Sequence, residues 1–598
     1  MKKIIFGVIL ILTCLMVFSV ITNAASSGKS GSNLTWKLDN EGTLTITGSG
    51  SMPSYWSNDP AYPRSSNSNY SPNLISVEIG NNVTSIGHSA FSSCENLKSI
   101  TIGENVTSID DAFSGCTALE KIYWNAKNVG DFSYDSGVFS EAGQSGDGID
   151  VIFGESVERI PAYTFYVYSY APSHLPKIIS VTISDSVTSI GNSAFSDCSW
   201  LTHVTIGKCV TSIESSAFYG CKSLTNVTLG DNIKNIGDAA FYDCSNLKTI
   251  ELPNTLETIG SATFRSSGIT QITIPNAVNI IGERVFLGCL NLESVIFECQ
   301  ITIIPTNAFK GCLKLESVVL SNSVSEIQDL AFSTCQSLKE LVVPESVVLI
   351  SETAFEGSDI TLNVKIGSYA LEYAIENGIK YKIYGFEDKN IINRGVDSNG
   401  IRWYLFEDGL LIISGEGAMV DYSLTTQIPW YDERTNISEI IIGKGITHIG
   451  DRSFYNCINV QKITIPDSVT SIGTYVFKNC DEITIRGEAG TYAMIYASSN
   501  DIPFIDVNKE LKPIFVEMTE NSLKWYFDVS VEDFDDAAIV YIAVYNSLDI
   551  LLSVTSDILS VDDLTSLSLP KEENAKYIKV FVWKDNLSPV TPSKTIDL

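Results

Sequence analysis

Histidine is nearly absent from this chain: four occur in 598 residues, at His88, His174, His203 and His448. A Ser-His-Asp or Cys-His centre needs a histidine held beside a nucleophile. These four are scattered, so no catalytic histidine is expected. Positive charge is scarce too, with 39 Lys and Arg against 70 Asp and Glu and a net charge of −31. A nucleic-acid partner needs a basic surface that displaces counterions from phosphate. No basic stretch stands out, and the acidity reads as solubility of an extracellular chain. No Cys-x-x-Cys pair occurs, which with so few histidines leaves no zinc site. Gly48-Ser49-Gly50 and Gly415-Glu416-Gly417 lack the Gly or Lys-Ser/Thr that a phosphate loop requires. No metal and no cofactor is therefore expected.

Long apolar runs are confined to the first residues. Lys2 and Lys3 precede an apolar core from Ile4 to Val20, and Thr22-Asn23-Ala24 offers a small-residue cleavage site. Residues 1–24 thus read as a secretory signal. No other stretch approaches membrane length, and no LPxTG-like sorting signal is visible at Thr595-Ile596-Asp597-Leu598. The expected location is secreted, extracellular or cell-surface, with no membrane span once the signal is removed.

What is present is a period. Phenylalanine returns at Phe195, Phe218, Phe241, Phe264, Phe286, Phe309, Phe332 and Phe355, in steps of 23 residues except the 22 from Phe264 to Phe286. Cysteine follows three residues later at Cys198, Cys221, Cys244, Cys289, Cys312 and Cys335. Self-similarity at such a spacing marks a stacked-repeat solenoid, which builds surface rather than chemistry. Within one unit, Val204-Thr205-Ile206 alternates as a short strand. Val210 to Ile213 reads as a second extended piece. The following Ala217-Phe218-x-x-Cys221 has the character of a helical or 3₁₀ corner. Phe195, Phe218 and Phe241 are expected to form a continuous spine, with Cys198, Cys221 and Cys244 as a buried ladder beside it. Equivalent residues on stacked coils lie about 4.8 Å apart with parallel side chains, whereas a disulfide wants facing Cβ atoms about 3.8 Å apart. Free thiols acting as small fillers are therefore expected, and Ala142, Ser267 and Ser358 replace cysteine where it is missing. Coils around Phe139 and Phe165 are longer and lack cysteine, with a Tyr-rich insertion from about Tyr166 to Pro176.

A larger duplication overlies the repeat. Trp36, Gly42, Leu44, Ile46, Gly48, Gly50, Met52 and Tyr55 recur 367 residues later as Trp403, Gly409, Leu411, Ile413, Gly415, Gly417, Met419 and Tyr422. Each copy reads strand, turn, strand and precedes repeats, as a cap over an open apolar end would. Both repeat arrays end alike, with Gly367-Ser-Tyr-Ala370 and Gly490-Thr-Tyr-Ala493 opening a short capping helix before a last strand. The expected organisation is a signal at 1–24, an N-terminal β cap at 25–73, a solenoid at 74–384, a second β cap at 385–432, a short second array at 433–507, and at 508–598 a β-sandwich of immunoglobulin or fibronectin-III type. The sandwich rests on apparent strands from Ser522, Ala538, Ile550 and Tyr577.

The unit Leu-x-x-Val-x-Ile-Pro…Val-x-x-Ile-Gly-x-x-Ala-Phe-x-x-Cys, seen in Ile463-Thr-Ile-Pro466, Val469-Thr-Ser-Ile472-Gly473 and Val476-Phe477, resembles the BspA-like leucine-rich repeats of bacterial and protist surface proteins. The likeness covers roughly residues 74–384 and 433–507. It implies a β-rich solenoid of about 23 residues per coil and a role in attachment to host proteins and other cells.

The middle residue of each first strand should face outward. Along the array that row is mostly threonine, then turns apolar at Ile296, Val319 and Val342. Exposed apolar patches mark contacts, so these three form the candidate binding patch. The favoured reading is a non-enzymatic interaction or adhesion protein whose partners are host or cell-surface proteins. The alternative is a carbohydrate-binding accessory protein in which the C-terminal sandwich and Trp36, Tyr55, Trp56, Trp403 and Tyr422 engage glycans, although the matched tryptophans also fit a cap core. An enzyme in the last 90 or so residues is the weakest reading, because that segment has no histidine and no cysteine. Oligomeric state and ligand identity are not encoded in any of these features.

Overall fold

The computed structural model describes residues 26–30, 33–54, 74–168 and 172–507, together with strands between residues 513 and 597. The expected signal segment, Tyr55 and Trp56 lie outside the described residues. The chain divides between Thr361 and Leu362 into two compact units.

In the first unit, most coils contribute two short strands, one to each of two faces of parallel sheet. The alternation read from the sequence appears as strands such as His203–Thr205, with Val204 buried and its neighbours exposed. The second apolar pair closes as Ser212–Ile213. Parallel pairing holds equivalent residues in register from coil to coil, as in Val181↔Val204↔Val227 and Ile190↔Ile213↔Ile236. Parallel strands joined by one coil each bury one face against the next layer, so no coil is stable alone.

The spine follows the period. Phe195, Phe218 and Phe241 stack with centroids 5.3 and 5.4 Å apart and planes within 6°. The irregular coils keep it: Phe113, Phe139, Phe165 and Phe195 follow one another at 5.5, 4.9 and 5.5 Å. Residues 169–171 of the Tyr-rich insertion lie outside the described residues. Beyond them a 3₁₀ turn, Pro172–His174, folds back so that the His174 carbonyl accepts from the Glu141 N–H and the Ser140 hydroxyl.

The corner is not helical. Alternate amides around Phe195 serve different partners. Ala194, Ser196 and Cys198 donate back three residues within their own coil, while Ser193, Phe195 and Asp197 donate to carbonyls of the next coil. The residues two before and two after most of the spine phenylalanines take the left-handed region, Ser193 at φ 51° and Asp197 at φ 59° for example. Side chains other than glycine enter that region at a cost. Here the gain is a third coil-to-coil ladder, which a helix would forfeit by turning all its amides inward.

The cysteine ladder is free and buried as expected. Most of the ladder thiols donate to the carbonyl of a spine phenylalanine one coil earlier: Cys221 Sγ to Phe195 O at 3.2 Å, Cys244 to Phe218 at 3.2 Å, Cys335 to Phe309 at 3.1 Å. Ser358 makes the same bond to Phe332 O at 2.7 Å. Ser358 thus keeps the donor as well as the small size, whereas Ala142 keeps the size alone.

Leading the first unit is a three-stranded antiparallel meander, Ser26–Ser30, Leu34–Leu38 and Thr43–Gly48, whose last strand pairs in parallel with the first coil. The opening strand has no apolar residue to announce it. It lies over Trp36 at Gly28, where a Cβ would meet the indole at 2.7 Å.

The second unit repeats this plan with Ile391–Val396, Arg402–Phe406 and Leu410–Ser414, and Gly395 lies over Trp403 in the same way. Coil strands Glu439–Ile442, Lys462–Thr464 and Thr484–Gly487 follow in parallel, then the helix Tyr492–Ser499 and a last strand, Phe504–Asp506. The unit also holds the helix Tyr369–Glu376, capped by Ser368, and the strand Lys380–Ile383. Toward the end of the chain, strands Pro513–Met518, Ser522–Phe527 and Ser566–Pro570 form one antiparallel sheet, and Ala538–Tyr545, Leu551–Leu559, Tyr577–Lys584 and Pro589–Asp597 another.

Candidate interaction surface

The outward row is built by the first-sheet strands Gln271–Ile274, Ser294–Phe297 and Ser317–Val319, with Glu340–Val342 one coil further on. Ile272, Val295, Val318 and Leu341 point inward and are buried. Their neighbours therefore face out by the two-residue period of a strand. Thr273, Ile296 and Val319 are cross-strand partners in one ladder. Ile296 is 45% exposed, Val319 53% and Val342 50%. Val342 lies outward on the next coil, but its strand is not hydrogen-bonded into that ladder.

Two further apolar rows escaped the sequence reading. On the second sheet the leading residue of each pair runs Ser189, Ser212, Asn235 and Thr258, then becomes Ile280 and Ile303, with Leu349 two coils on; all three apolar residues are exposed. At the corner, Leu290 and Leu313 stand exposed just after Cys289 and Cys312. Applying the outward-row logic to the second strand would have found the first set. The coils between residues 271 and 350 thus expose apolar side chains on three faces, where the coils just before them present polar or charged side chains such as Thr205, Ser212, Lys222 and Glu251.

Three of the aromatics considered for glycan stacking lie in the core of the meanders. Trp36, Trp403 and Tyr422 are only 7%, 5% and 4% exposed, and Trp403 packs edge-on against Trp430 with centroids 5.8 Å apart. A ring buried to this degree has no face to offer a sugar.

Burial also acts on the ladder thiols. Burial pushes the Cys289 and Cys480 thiols up to about 11 and Cys335 to about 12, so they stay protonated at neutral pH, and the thiolate is the reactive form. Cys209 alone among the described cysteines is exposed. Of possible metal ligands, His88, Asp110 and Asp111 converge within 4.8 Å. The Asp111 carboxylate already accepts from the Gly137 N–H at 2.9 Å and from the Ser136 hydroxyl. That use is local: it fastens the next corner.

One constellation emerges only in three dimensions. His448 Nε2 lies 3.1 Å from Asp421 Oδ1, and Nδ1 lies 2.7 Å from Ser471 Oγ. His448 and Ser471 are cross-strand partners on adjacent coils, and Asp421 Oδ1 also accepts from the Asp451 N–H at 2.8 Å. The trio works as a clasp between the segment after the meander and the first two coils of this unit.

A family model described as BspA type leucine rich repeat region, in six copies, matches residues 65–171, 164–293, 257–373 and 430–509. The chain belongs to the BspA-type leucine-rich repeat family. Similar solved structures include a leucine-rich repeat protein from Eubacterium ventriosum, 23% identical over 56% of this chain and 95% of that one, with a TM-score of 0.30. Another, from Bacteroides ovatus, is 18% identical over 79% and 98%, with a TM-score of 0.34. A leucine rich cell surface protein from Faecalibacterium prausnitzii is 19% identical over 79% and 98%, with a TM-score of 0.24. No curated protein matches the chain. Among the described residues, no helix is long and apolar enough to cross a membrane.

Proposed function

We propose that this BspA-type chain is a secreted or cell-surface protein without enzymatic activity, which mediates adhesion by binding host or cell-surface proteins through the coils that carry Ile296, Val319 and Val342. The observation behind this is the outward row itself: it changes from threonine to aliphatic residues at three successive coils, and all three side chains stand about half exposed. Aliphatic side chains exposed in a row lose water-facing area when a partner covers them, at about 25 cal/mol per Å². The buried thiols and the scattered histidines are consistent with a scaffold rather than a catalyst.

The organisation that goes with this reading is a signal at residues 1–24, two capped arrays at 25–384 and 385–507, and a C-terminal β-sandwich at 508–598. The constant 367-residue offset between the two meanders supports the two arrays. The two antiparallel sheets beyond residue 513 support the sandwich.

The test is binding of the full secreted chain to immobilised host matrix proteins and mucin, beside the Val319→Asp variant and a chain ending at residue 507. Loss of protein binding in Val319→Asp, with retention in the shortened chain, is the expected result. Glycan binding that disappears with residues 508–598 would overturn the reading and make the coils a spacer.

A further inference from the structure

The first sheet is interrupted in the middle of the array. Asn226–Thr228 is the last strand of a ten-stranded sheet, and Gln271–Ile274 begins the next. Residues 249–252, in frame between them, belong to no strand. The second sheet crosses the same coils without a break, Asn235 pairing with Thr258 and Thr258 with Ile280. The spine also continues, with Phe218, Phe241, Phe264 and Phe286 stacked at 5.4, 5.8 and 5.7 Å. The opening is thus confined to one face. Its far side coincides with a 22-residue step, Phe264 to Phe286.

Three consequences converge at the gap. Among the described residues, no backbone hydrogen bond engages the N–H or C=O groups of Thr249, Ile250, Glu251 or Leu252. Backbone groups are obligatory hydrogen-bonders, and a row of them left open is a template for another extended chain. Next, Val227, Leu229 and Leu252 are only half-buried, whereas Val204, Ile206, Ile272 and Ile274 at the same positions of other coils are buried. Finally, depressions of about 450 and 520 Å³ flank the segment and share residues 249–252 as a common wall. Their walls carry Asp231, Glu251 and Glu298 and no basic side chain. None of these three carboxylates makes an ion pair among the described residues.

We propose that this gap binds an extended, basic peptide segment of a partner protein. The peptide would lie along the direction of the coils and pair its main chain with residues 249–252, as in recognition by strand addition. Alternate side chains would then point toward the wall, where lysine or arginine meets Asp231, Glu251 and Glu298. The others would cover the half-buried Val227, Leu229 and Leu252. Charge-assisted hydrogen bonds to carboxylate are about twice as strong as neutral ones, so the sign of the peptide matters as much as its shape. The proposal rests on the protein-binding reading above and gives that reading a second site, which adjoins the first at Ile296 and does not include Val319.

The experiment measures fluorescence anisotropy of a labelled peptide of alternating lysine and valine against the full secreted chain. Comparison peptides have glutamate in place of lysine, or N-methyl groups on alternate amides. Saturable binding of the lysine peptide is expected. It should weaken at least about tenfold, or 1.4 kcal/mol, for the glutamate peptide, for the N-methylated peptide and for the Glu251→Lys variant, whose exposed side chain can change without disturbing the fold. Equal affinity for the N-methylated peptide would overturn the proposal, because attraction to a chain of net charge −31 would then suffice. Undiminished binding to Glu251→Lys would overturn it as well. Val319→Asp separates the two ideas: peptide binding that persists in it, while matrix-protein binding is lost, upholds both sites. Matrix-protein binding that depends on Val319, with no peptide binding at all, leaves the adhesion reading standing and removes this one.

Discussion

The two meanders share one sequence frame and face different surroundings. In the first, Leu34–Leu38 alternates buried and exposed, with Thr35 and Lys37 outward and Leu34, Trp36 and Leu38 inward. In the second, Arg402–Phe406 and Leu410–Ser414 are buried on both faces apart from half-buried ends. Position by position, Thr35, Lys37, Thr43 and Thr45 of the first become Arg402, Tyr404, Leu410 and Ile412 of the second. The cover comes from residues ahead of the second meander. Phe386 stacks on Phe406 at 5.6 Å. Glu372, on the helix Tyr369–Glu376, accepts from the Tyr404 hydroxyl and pairs with Arg394. A Cβ on Gly367 would collide with Ser414. The same three-stranded element therefore serves once with a solvated outer face and once embedded in its unit. The residues at outward positions record which.

The sharpest way to break this comparison is to place one charge at equivalent positions. Ile412→Lys buries an unpaired ammonium and is expected to cost about 4 kcal/mol or more. Thr45→Lys, at the matching position of the first meander, should stay within about 0.5 kcal/mol of the parent. Thermal unfolding of both variants checks this, and equal losses would mean that the outer faces are equivalent after all.

Removing the polar cover is the next largest effect. The Glu372 side chain is 16% exposed, and its removal in Glu372→Ala strands the Arg394 guanidinium and the buried Tyr404 hydroxyl. Breaking a well-buried pair costs about 3–5 kcal/mol. Because Arg394 is 31% exposed, a loss of about 2 kcal/mol is expected once solvent screening is discounted. Among the described residues the first meander has no counterpart to this contact, so the loss should appear in proteolysis or hydrogen exchange of residues 391–414 and leave residues 34–48 unchanged.

A smaller effect tests what the ladder position requires. Cys244→Ala removes the donor to the Phe218 carbonyl and should cost about 1 kcal/mol. Cys244→Ser and Ser358→Cys, which keep a donor, should each cost less than Cys244→Ala. Thiol labelling in the native state should modify Cys209 quickly and the buried ladder only on unfolding, because burial keeps those thiols protonated.

Much of this architecture was legible because it repeats. The phenylalanine spine, the free-thiol ladder, the terminal helices at Tyr369 and Tyr492 and the matched meanders all follow from local pattern multiplied by register. What escaped depends on contacts between segments. The strand Ser26–Ser30 has no apolar residue and exists because Gly28 lies on Trp36. The corners read as a helical or 3₁₀ turn from Ala217-Phe218-x-x-Cys221; the three-residue bonds are there at alternate amides, yet every second amide is claimed by the adjacent coil. The apolar row at Ile296 and Val319 was readable, since period-two alternation assigns it to one face. The sheet gap at residues 249–252 was not, because Ile250-Glu251-Leu252 alternates as well as any neighbour.

The finest contrast is in how the segment after each meander is tied to its first coil. Ser54 and Asp421 occupy the same frame, 367 residues apart. Ser54 Oγ accepts from the His88 N–H at 3.4 Å, and Asp421 Oδ1 accepts from the Asp451 N–H at 2.8 Å. Only the second tie can titrate. The Asp451 amide, and after it His448, hold the Asp421 carboxyl below the usual carboxylate range. A carboxylate whose pKa is depressed on folding adds stability that is fully present above its unfolded value of about 3.9 and disappears as pH falls through the lower folded value. Asp421 is 64% exposed, so the contribution is small and best read locally. Hydrogen exchange at residues 449–455 should accelerate below about pH 4 beyond the intrinsic rate, while residues 86–91 of the first unit show no matching step. Asp421→Ser should abolish the step. A step that persists in that variant would assign the acid sensitivity to another group and leave the two ties equivalent.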